Sequence, residues 1–190
     1  YLSFGSVPQP ATILEETKAL LPGHYLRARN GTICVERYWS LEERTRTTRA
    51  ELRDIEYEEA VSGLRQKLEG AAGLSTIADV PVGAFLSGGI DSTAVVGLMR
   101  ERVAERIKTY SIGFDTQHSR LSELRWARVA AERFETDHTE VVVRGEDIKD
   151  AYDDILRALD QPSVDGTNTY LVSRAARKGV KVSLSGLGGG

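Results

Sequence analysis

A short apolar run, Val82-Gly83-Ala84-Phe85-Leu86, stops at Ser87-Gly88-Gly89 and passes at once into Ile90-Asp91-Ser92-Thr93 and a helix-like stretch over 94–106. This junction limits the fold more than any other feature of the chain. A strand that enters a helix through a glycine turn is the first half of a crossover unit, and crossover units build parallel sheets. Further strand-like runs over 107–114, 139–143 and 180–184 alternate with helix-like stretches over 121–134, 147–159 and 169–178. The alternation predicts an α/β fold with a parallel, doubly wound, Rossmann-like sheet, apolar on both faces because helices cover both. Another helix is expected from Asp54, with Ile55, Tyr57, Ala60, Val61, Leu64 and Leu68 on one broad face and Gly70 and Gly73 ending it.

Residues 1–50 are of a different kind, punctuated by Pro8, Pro10, Pro22 and Gly23. Two short strands, 24–28 and 32–38, flank Arg29-Asn30-Gly31. Asn-Gly signals a hairpin because both residues tolerate positive φ. Residues 40–53 are polar, lack an apolar period and read as a linker. The division expected is therefore 1–50, a small β segment plus linker, and 51–190, the α/β domain. The first residue is Tyr1 and the last are Gly188-Gly189-Gly190, straight after a strand. Both ends read as cuts in a longer protein.

With 25 Lys and Arg against 28 Asp and Glu, the net charge of −3 offers no basic field for nucleic acid. No apolar stretch is long enough to span a bilayer. Cys34 is the single cysteine, so no internal disulfide forms, and a reducing cytoplasm is expected. His24, His118 and His138 show no metal-ligand spacing with one another or with Cys34. His24 and His138 are expected in structural roles, the latter hydrogen-bonded, His118 in a polar surface loop, and Cys34 as a small buried hydrophobe.

The Ser87–Ser92 stretch carries chemistry. Backbone N–H groups of such a loop point at an anion, and the dipole of the helix that follows favours negative charge there. Gly88 and Gly89 keep a Cβ out of the way, and Asp91 could hold Mg²⁺ against phosphate oxygens. No Gly-Lys-Ser/Thr follows, so the loop is not a Walker A loop. Ligands of such sheets bind beyond the carboxyl ends of the strands. Ser87, then Ile112-Gly113-Phe114-Asp115, then Ser185-Gly186 fall at those ends and are expected to converge on one crevice.

Ser-Gly-Gly-Ile-Asp-Ser resembles the pyrophosphate loop of the ATP-pyrophosphatase enzymes. Other segments, in order and spacing, are similar to glutamine-hydrolysing asparagine synthetases. Phe4-Gly5-Ser6-Val7-Pro8, Leu21-Pro22-Gly23-His24-Tyr25 and Arg37-Tyr38-Trp39 resemble the end of that family's glutaminase domain. Asp79-Val80-Pro81-Val82-Gly83 onward resembles the start of its synthetase domain. Tyr110-Ser111-Ile112-Gly113-Phe114, Asp137-His138-Thr139-Glu140, Leu159-Asp160-Gln161-Pro162-Ser163-Val164-Asp165 and Leu184-Ser185-Gly186-Leu187-Gly188-Gly189 resemble later stretches.

The resemblance implies an adenine nucleotide alpha hydrolase-like fold. It also implies an ATP-dependent synthesis of asparagine through an aspartyl-adenylate, with AMP and pyrophosphate released and ammonia drawn from glutamine. Carried over, it implies that Ser87, Gly88, Gly89, Asp91 and Ser92 hold pyrophosphate and Mg²⁺. Leu86 and Ile112 would line the adenosine pocket, Ser185 and Gly186 would face the nucleotide, and Asp165 would stand on the acceptor side. The partners implied are aspartate or a related carboxylate, ATP and ammonia, with no nucleic acid and no membrane; a homo-oligomer is allowed.

Three departures stand beside it. The N-terminal cysteine of a glutaminase is absent, so this piece is not expected to hydrolyse glutamine. Leu187 stands where many asparagine synthetases carry Glu. Gly190 stands where the family pattern has Asp. Alone, the piece is expected to turn over little. Two alternatives remain open: an AMP-forming amide ligase with another carboxylate acceptor, and a non-catalytic nucleotide-binding module.

Overall fold

The computed structural model describes residues 1–115 and 124–186. The expectations placed on His118, Leu121, Leu187 and Gly188–Gly190 lie outside the described residues. Two compact units are present, one made of Tyr1–Val61 with Leu159–Val164, the other of Ser62–Ala158 with the stretch from Asp165 onward.

In the first unit, β1 (His24–Arg29) and β2 (Thr32–Arg37) form an antiparallel hairpin, Arg29 opposite Thr32. Asn30 and Gly31 make its two-residue turn at φ 48° and 77°. This is the turn whose twist suits a hairpin. Cys34 is half-buried rather than buried: its thiol donates to Glu36 Oε1 at 3.3 Å, a bond that, with partial burial, pushes the thiol pKa up. Residues 40–53 are not a linker without regular structure. They form α1 (Leu41–Glu51), whose first turn is closed by Ser40 Oγ accepting the Glu43 amide at 3.3 Å. None of its residues is buried, and a helix with no packed face needs no apolar period.

α2 (Tyr57–Ser75) runs through Gly70 and Gly73 instead of ending at them. An interior glycine costs roughly 1 kcal/mol without breaking a helix. Its expected core face is largely exposed: among the helix residues only Ala72 is buried, while Leu64 is 62% exposed.

Among the described residues the second unit holds four parallel strands, β3 (Val82–Phe85), β4 (Lys108–Phe114), β5 (Asp137–Val143) and β6 (Val182–Leu184), in the order β5-β4-β3-β6. The helices are α3 (Ile90–Arg100), α4 (Leu124–Arg133), α5 (Gly145–Asp150), α6 (Tyr152–Ala158) and α7 (Gly166–Ala176). The single helix expected over 147–159 is two helices, parted at Ala151, which turns at φ −91°, ψ 0°.

Strand alternation sends side chains to two cores. Ala84 and Leu86 pack with Val96 and Met99 of α3 and Ala127, Ala130 and Ala131 of α4. On the opposite face Tyr110 packs with Val172 and Ala176 of α7 and with Val180, joined by Phe85 and Ile112. Helices on both faces of a parallel sheet make the predicted doubly wound α/β fold. From β3 the chain steps outward through β4 to β5, and then returns to place β6 on the other flank of β3. Strand order reverses between β3 and β6, where such sheets open a crevice at their carboxyl ends.

Candidate functional site

The crevice is present. Beyond the ends of β3 and β6 lies a hollow of about 320 Å³, lined by Phe85, Ser87, Gly89, Asp91, Ser92, Ser185 and Gly186. Its size is at the small end of ligand sites. Of the residues expected there from sequence, Ser87, Gly89, Asp91, Ser92, Ser185 and Gly186 come together. Phe85 joins them unannounced, since only the pairing with β6 brings the end of β3 to this edge.

The loop between β3 and α3 is fastened from within. Ser92, buried at the first turn of α3, is the hub: its Oγ accepts the Ser87 amide at 3.2 Å and lies 2.9 Å from Ser87 Oγ. Ser92 Oγ donates to the Gly89 carbonyl at 3.3 Å, and the Gly89 amide donates to Ser87 Oγ at 3.3 Å. Gly89 is the N-cap of α3, so no side chain caps the helix there. The N-terminal end of the helix thus carries no side-chain cap, and Gly89, Asp91 and Ser92 at that end line the hollow.

Gly88 serves the loop from the other side. At φ 80° it occupies the left-handed region, and it leaves no room for a Cβ, which would fall 2.4 Å from backbone atoms of Trp126 and Ala127 in α4. It does not line the hollow. Nor do Leu86, Ile112 and Asp165. The Leu86 side chain is in the core at 1% exposure. Its amide donates to the Tyr110 carbonyl at 2.9 Å, and its carbonyl accepts the Ser111 hydroxyl. Ile112 packs toward α7, and Asp165 is the exposed N-cap of that helix without a side-chain capping bond. The carboxyl end of β4 also stays outside the hollow: the Asp115 amide donates to the Val143 carbonyl at 2.9 Å, and Arg144 approaches its carboxylate at 3.8 Å.

The lining holds one charged group, Asp91, and among the described residues no lysine or arginine. A polyanion seated here therefore relies on the α3 N-terminus and on a cation it brings with it. Among the described residues no cluster of three or more His, Cys, Asp and Glu side chains could hold a metal alone. A single carboxylate beside a phosphate-sized hollow nevertheless fits Mg²⁺, which takes one or two protein carboxylates and completes its shell with phosphate and water oxygens.

Beneath the loop, His138 of β5 reaches Thr109 Oγ1 with Nδ1 at 2.8 Å and Ser111 Oγ with Nε2 at 3.3 Å. Its surroundings also hold Glu140, Arg128, Arg106, Glu132 and Glu135. Burial lowers its pKa from 6.5, against the attraction of Glu140 and with the repulsion of Arg128. The folded protein thus prefers the neutral ring, and the unfolded chain takes up the proton first as pH falls. The stability linked to this group is complete above about pH 6.5 and is lost as pH falls through the lowered value. In His138→Gln that acid limb is expected to flatten, measured as the denaturant midpoint between about pH 5 and 8; an unchanged limb would assign the proton elsewhere.

A family model described as asparagine synthase matches residues 63–190. A putative glutamine-hydrolysing asparagine synthetase of Methanocaldococcus jannaschii is 42% identical over 58% of this chain and 22% of its own length. Asparagine synthetase 1 of Bacillus subtilis, glutamine-hydrolysing by name, is 31% identical over 99% of this chain and 29% of its own length. Amidase chyE of Penicillium rubens is 30% identical over 93% of this chain and 28% of its own length. The chain thus spans between a fifth and a third of these relatives. Among the described residues no helix is long and apolar enough to cross a membrane.

Proposed function

Because this chain belongs to the asparagine synthase family, we propose that it carries the nucleotide-activating part of an ATP-dependent amide ligase. The observation that carries the reading is the hollow at the strand-order reversal, where the Ser87–Ser92 loop and the α3 N-terminus meet Ser185 and Gly186. The pyrophosphate end of ATP sits against the first turn of α3, with Ser87, Gly89 and Ser92 nearest it and Gly88 holding the loop in shape. Asp91 carries Mg²⁺, which neutralises phosphate charge when bound. Ser185 and Gly186 close the opposite side. Leu86 and Ile112 stand on the adenosine side, and Asp165 on the side of the acceptor.

In this reading an oxygen of the aspartate side-chain carboxylate attacks the α-phosphorus, and pyrophosphate leaves. Ammonia, drawn from glutamine in the whole protein, then attacks the acyl carbon, and AMP leaves with the bonding electrons. A carboxylate oxygen is a poor leaving group and AMP a good one. What the protein contributes is alignment of the reactants and a fixed environment for the phosphate charge. The N-terminal 50 residues belong, in this reading, to the end of a glutaminase domain, and the enzyme is cytoplasmic.

The test follows pyrophosphate release and amide formation by the full-length protein given MgATP, ammonium and aspartate. Asparagine is the product expected, and no pyrophosphate with any carboxylate would sink the reading. A second outcome has a specific motive. Leu187 replaces an acid many asparagine synthetases carry, and one relative bears the name amidase. An amide on another acid would support a ligase with a different acceptor.

Asp91→Asn separates the metal from the nucleotide. Removing the one charge that the described residues give the lining is expected to weaken MgATP binding at least about tenfold while leaving metal-free ATP bound as well or better. Calorimetric titration with and without Mg²⁺ measures both; equal losses in the two titrations would remove the metal role from Asp91.

A further inference from the structure

The peptide unit between Leu86 and Ser87 is where β3 leaves the sheet and the loop begins. Ladder pairing of β3 with β4 ends at Phe85 opposite Tyr110. One more backbone bond follows, from the Leu86 amide to the Tyr110 carbonyl, and side chains hold the next peptide unit. The unit is planar, so fixing its carbonyl and its amide fixes its plane. The amide of Ser87 is held by Ser92 Oγ at 3.2 Å. The carbonyl of Leu86 is held by the Ser111 hydroxyl, and behind Ser111 stands His138.

Hydrogen counting assigns the ring. The Ser111 hydroxyl has one hydrogen and gives it to the Leu86 carbonyl. Toward His138 Nε2, 3.3 Å away, Ser111 Oγ is therefore an acceptor, and Nε2 carries the proton. In the neutral ring Nδ1 is then the acceptor, taking the Thr109 hydroxyl at 2.8 Å. Thr109 Oγ1 in turn accepts from Thr136 Oγ1 at 2.8 Å. Every hydrogen in the row points the same way, from Thr136 through Thr109, His138 and Ser111 to Leu86. Thr109 and Ser111 are buried and the His138 side chain is only 10% exposed. Among the described residues no buried side-chain nitrogen or oxygen lacks a partner. The register explains the reach: Thr109 is the direct partner of His138, and Ser111 lies two residues on, on the same face.

We propose that His138 is a positioning residue for the nucleotide loop, its Nε2–H tautomer locking Ser111 onto the Leu86 carbonyl and so orienting the first peptide of the Ser87–Ser92 cup. The proposal rests on the reading of that cup as the pyrophosphate site. It assigns to a histidine outside the hollow, and to a hydroxyl row beneath the sheet surface, a share in nucleotide affinity.

The experiment is a double-mutant cycle in the full chain with MgATP as the probe, joined to imidazole ¹⁵N spectra of the ligand-free protein. Ser111→Ala and His138→Leu are each expected to weaken MgATP binding about fivefold, the worth of one hydrogen bond. The double variant is expected to be no weaker than either single one. His138→Gln, which keeps an N–H donor at the reach of Nε2, is expected to restore most of the affinity. The ¹⁵N spectrum is expected to show the proton on Nε2, and this readout stands even where a variant fails to fold. A proton on Nδ1, additive losses in the double variant, or wild-type affinity in the single variants overturns the positioning role while leaving the cup intact. Absence of MgATP binding by the wild type, or binding that survives Ser92→Ala unchanged, overturns the cup itself and the role with it.

Discussion

Gly88→Ala is expected to damage both the fold and the candidate nucleotide site. Two costs fall on the same atom. At φ 80° an alanine sits in the left-handed region, which costs about 1 kcal/mol or more. Its Cβ would then stand 2.4 Å from the Ala127 amide nitrogen and the Trp126 carbonyl carbon. Those are backbone atoms of α4 and cannot swing aside, so the loop or the helix must move, at a further cost of roughly 1–3 kcal/mol. A total of about 2–4 kcal/mol is a large share of a domain's stability, and the thermal midpoint should drop by roughly 10 °C. MgATP binding should fall by more than tenfold, because the displaced loop carries Ser87 and Gly89. Trp126→Ala should not rescue either loss, since the obstruction is backbone. Calorimetry of unfolding and of MgATP binding decides it; wild-type values in both for Gly88→Ala would mean that the loop does not seat on α4.

Gly186→Ala should separate binding from stability. Its Cβ would come within 2.8 Å of the Ser92 amide nitrogen and 3.0 Å of the Asp91 carbonyl carbon. No left-handed backbone is involved, so the cost is steric alone and is relieved by backing the β6 loop away from α3. The expected loss of stability is about 1–2 kcal/mol. The loss of MgATP affinity should be tenfold or more, because the movement parts the two walls of the hollow. Equilibrium denaturation beside nucleotide titration measures the two effects. An affinity that falls no further than the stability loss predicts would show that the β6 loop is not a wall of the site.

The parts of this molecule legible in the sequence are those set over short distances along the chain. Asn30-Gly31 makes its hairpin turn through the backbone freedom of two adjacent residues. Ser87-Gly88-Gly89 turns a strand into a helix within a few positions. The alternation of buried strands and helices announced the parallel sheet. Where local signals were weak or misleading, the reading went astray for identifiable reasons. α1 is a capped polar helix with no buried residue, so its period was silent. Gly70 and Gly73 looked like stops, yet helix propensity alone does not end a helix. Cys34 read as apolar from its residue type, although Glu36, two positions on along the same strand face, stands within reach of its thiol.

By itself, then, the sequence determined the kind of sheet, the glycine loop at the end of the first strand of that sheet, and the residues that make up that loop. Only the tertiary structure decided which of them meet. The reversal of strand order beside β3 brings Ser185 and Gly186 to the loop and leaves Ile112 and Asp115 outside the hollow. The parallel register of β4 with β5 sets His138 under Ser111 and Leu86, 25 to 52 positions apart in the chain. Periodicity along one segment reports which face of an element is buried. It carries no record of the neighbour that the face will meet, because that choice is made by packing among elements distant in the chain.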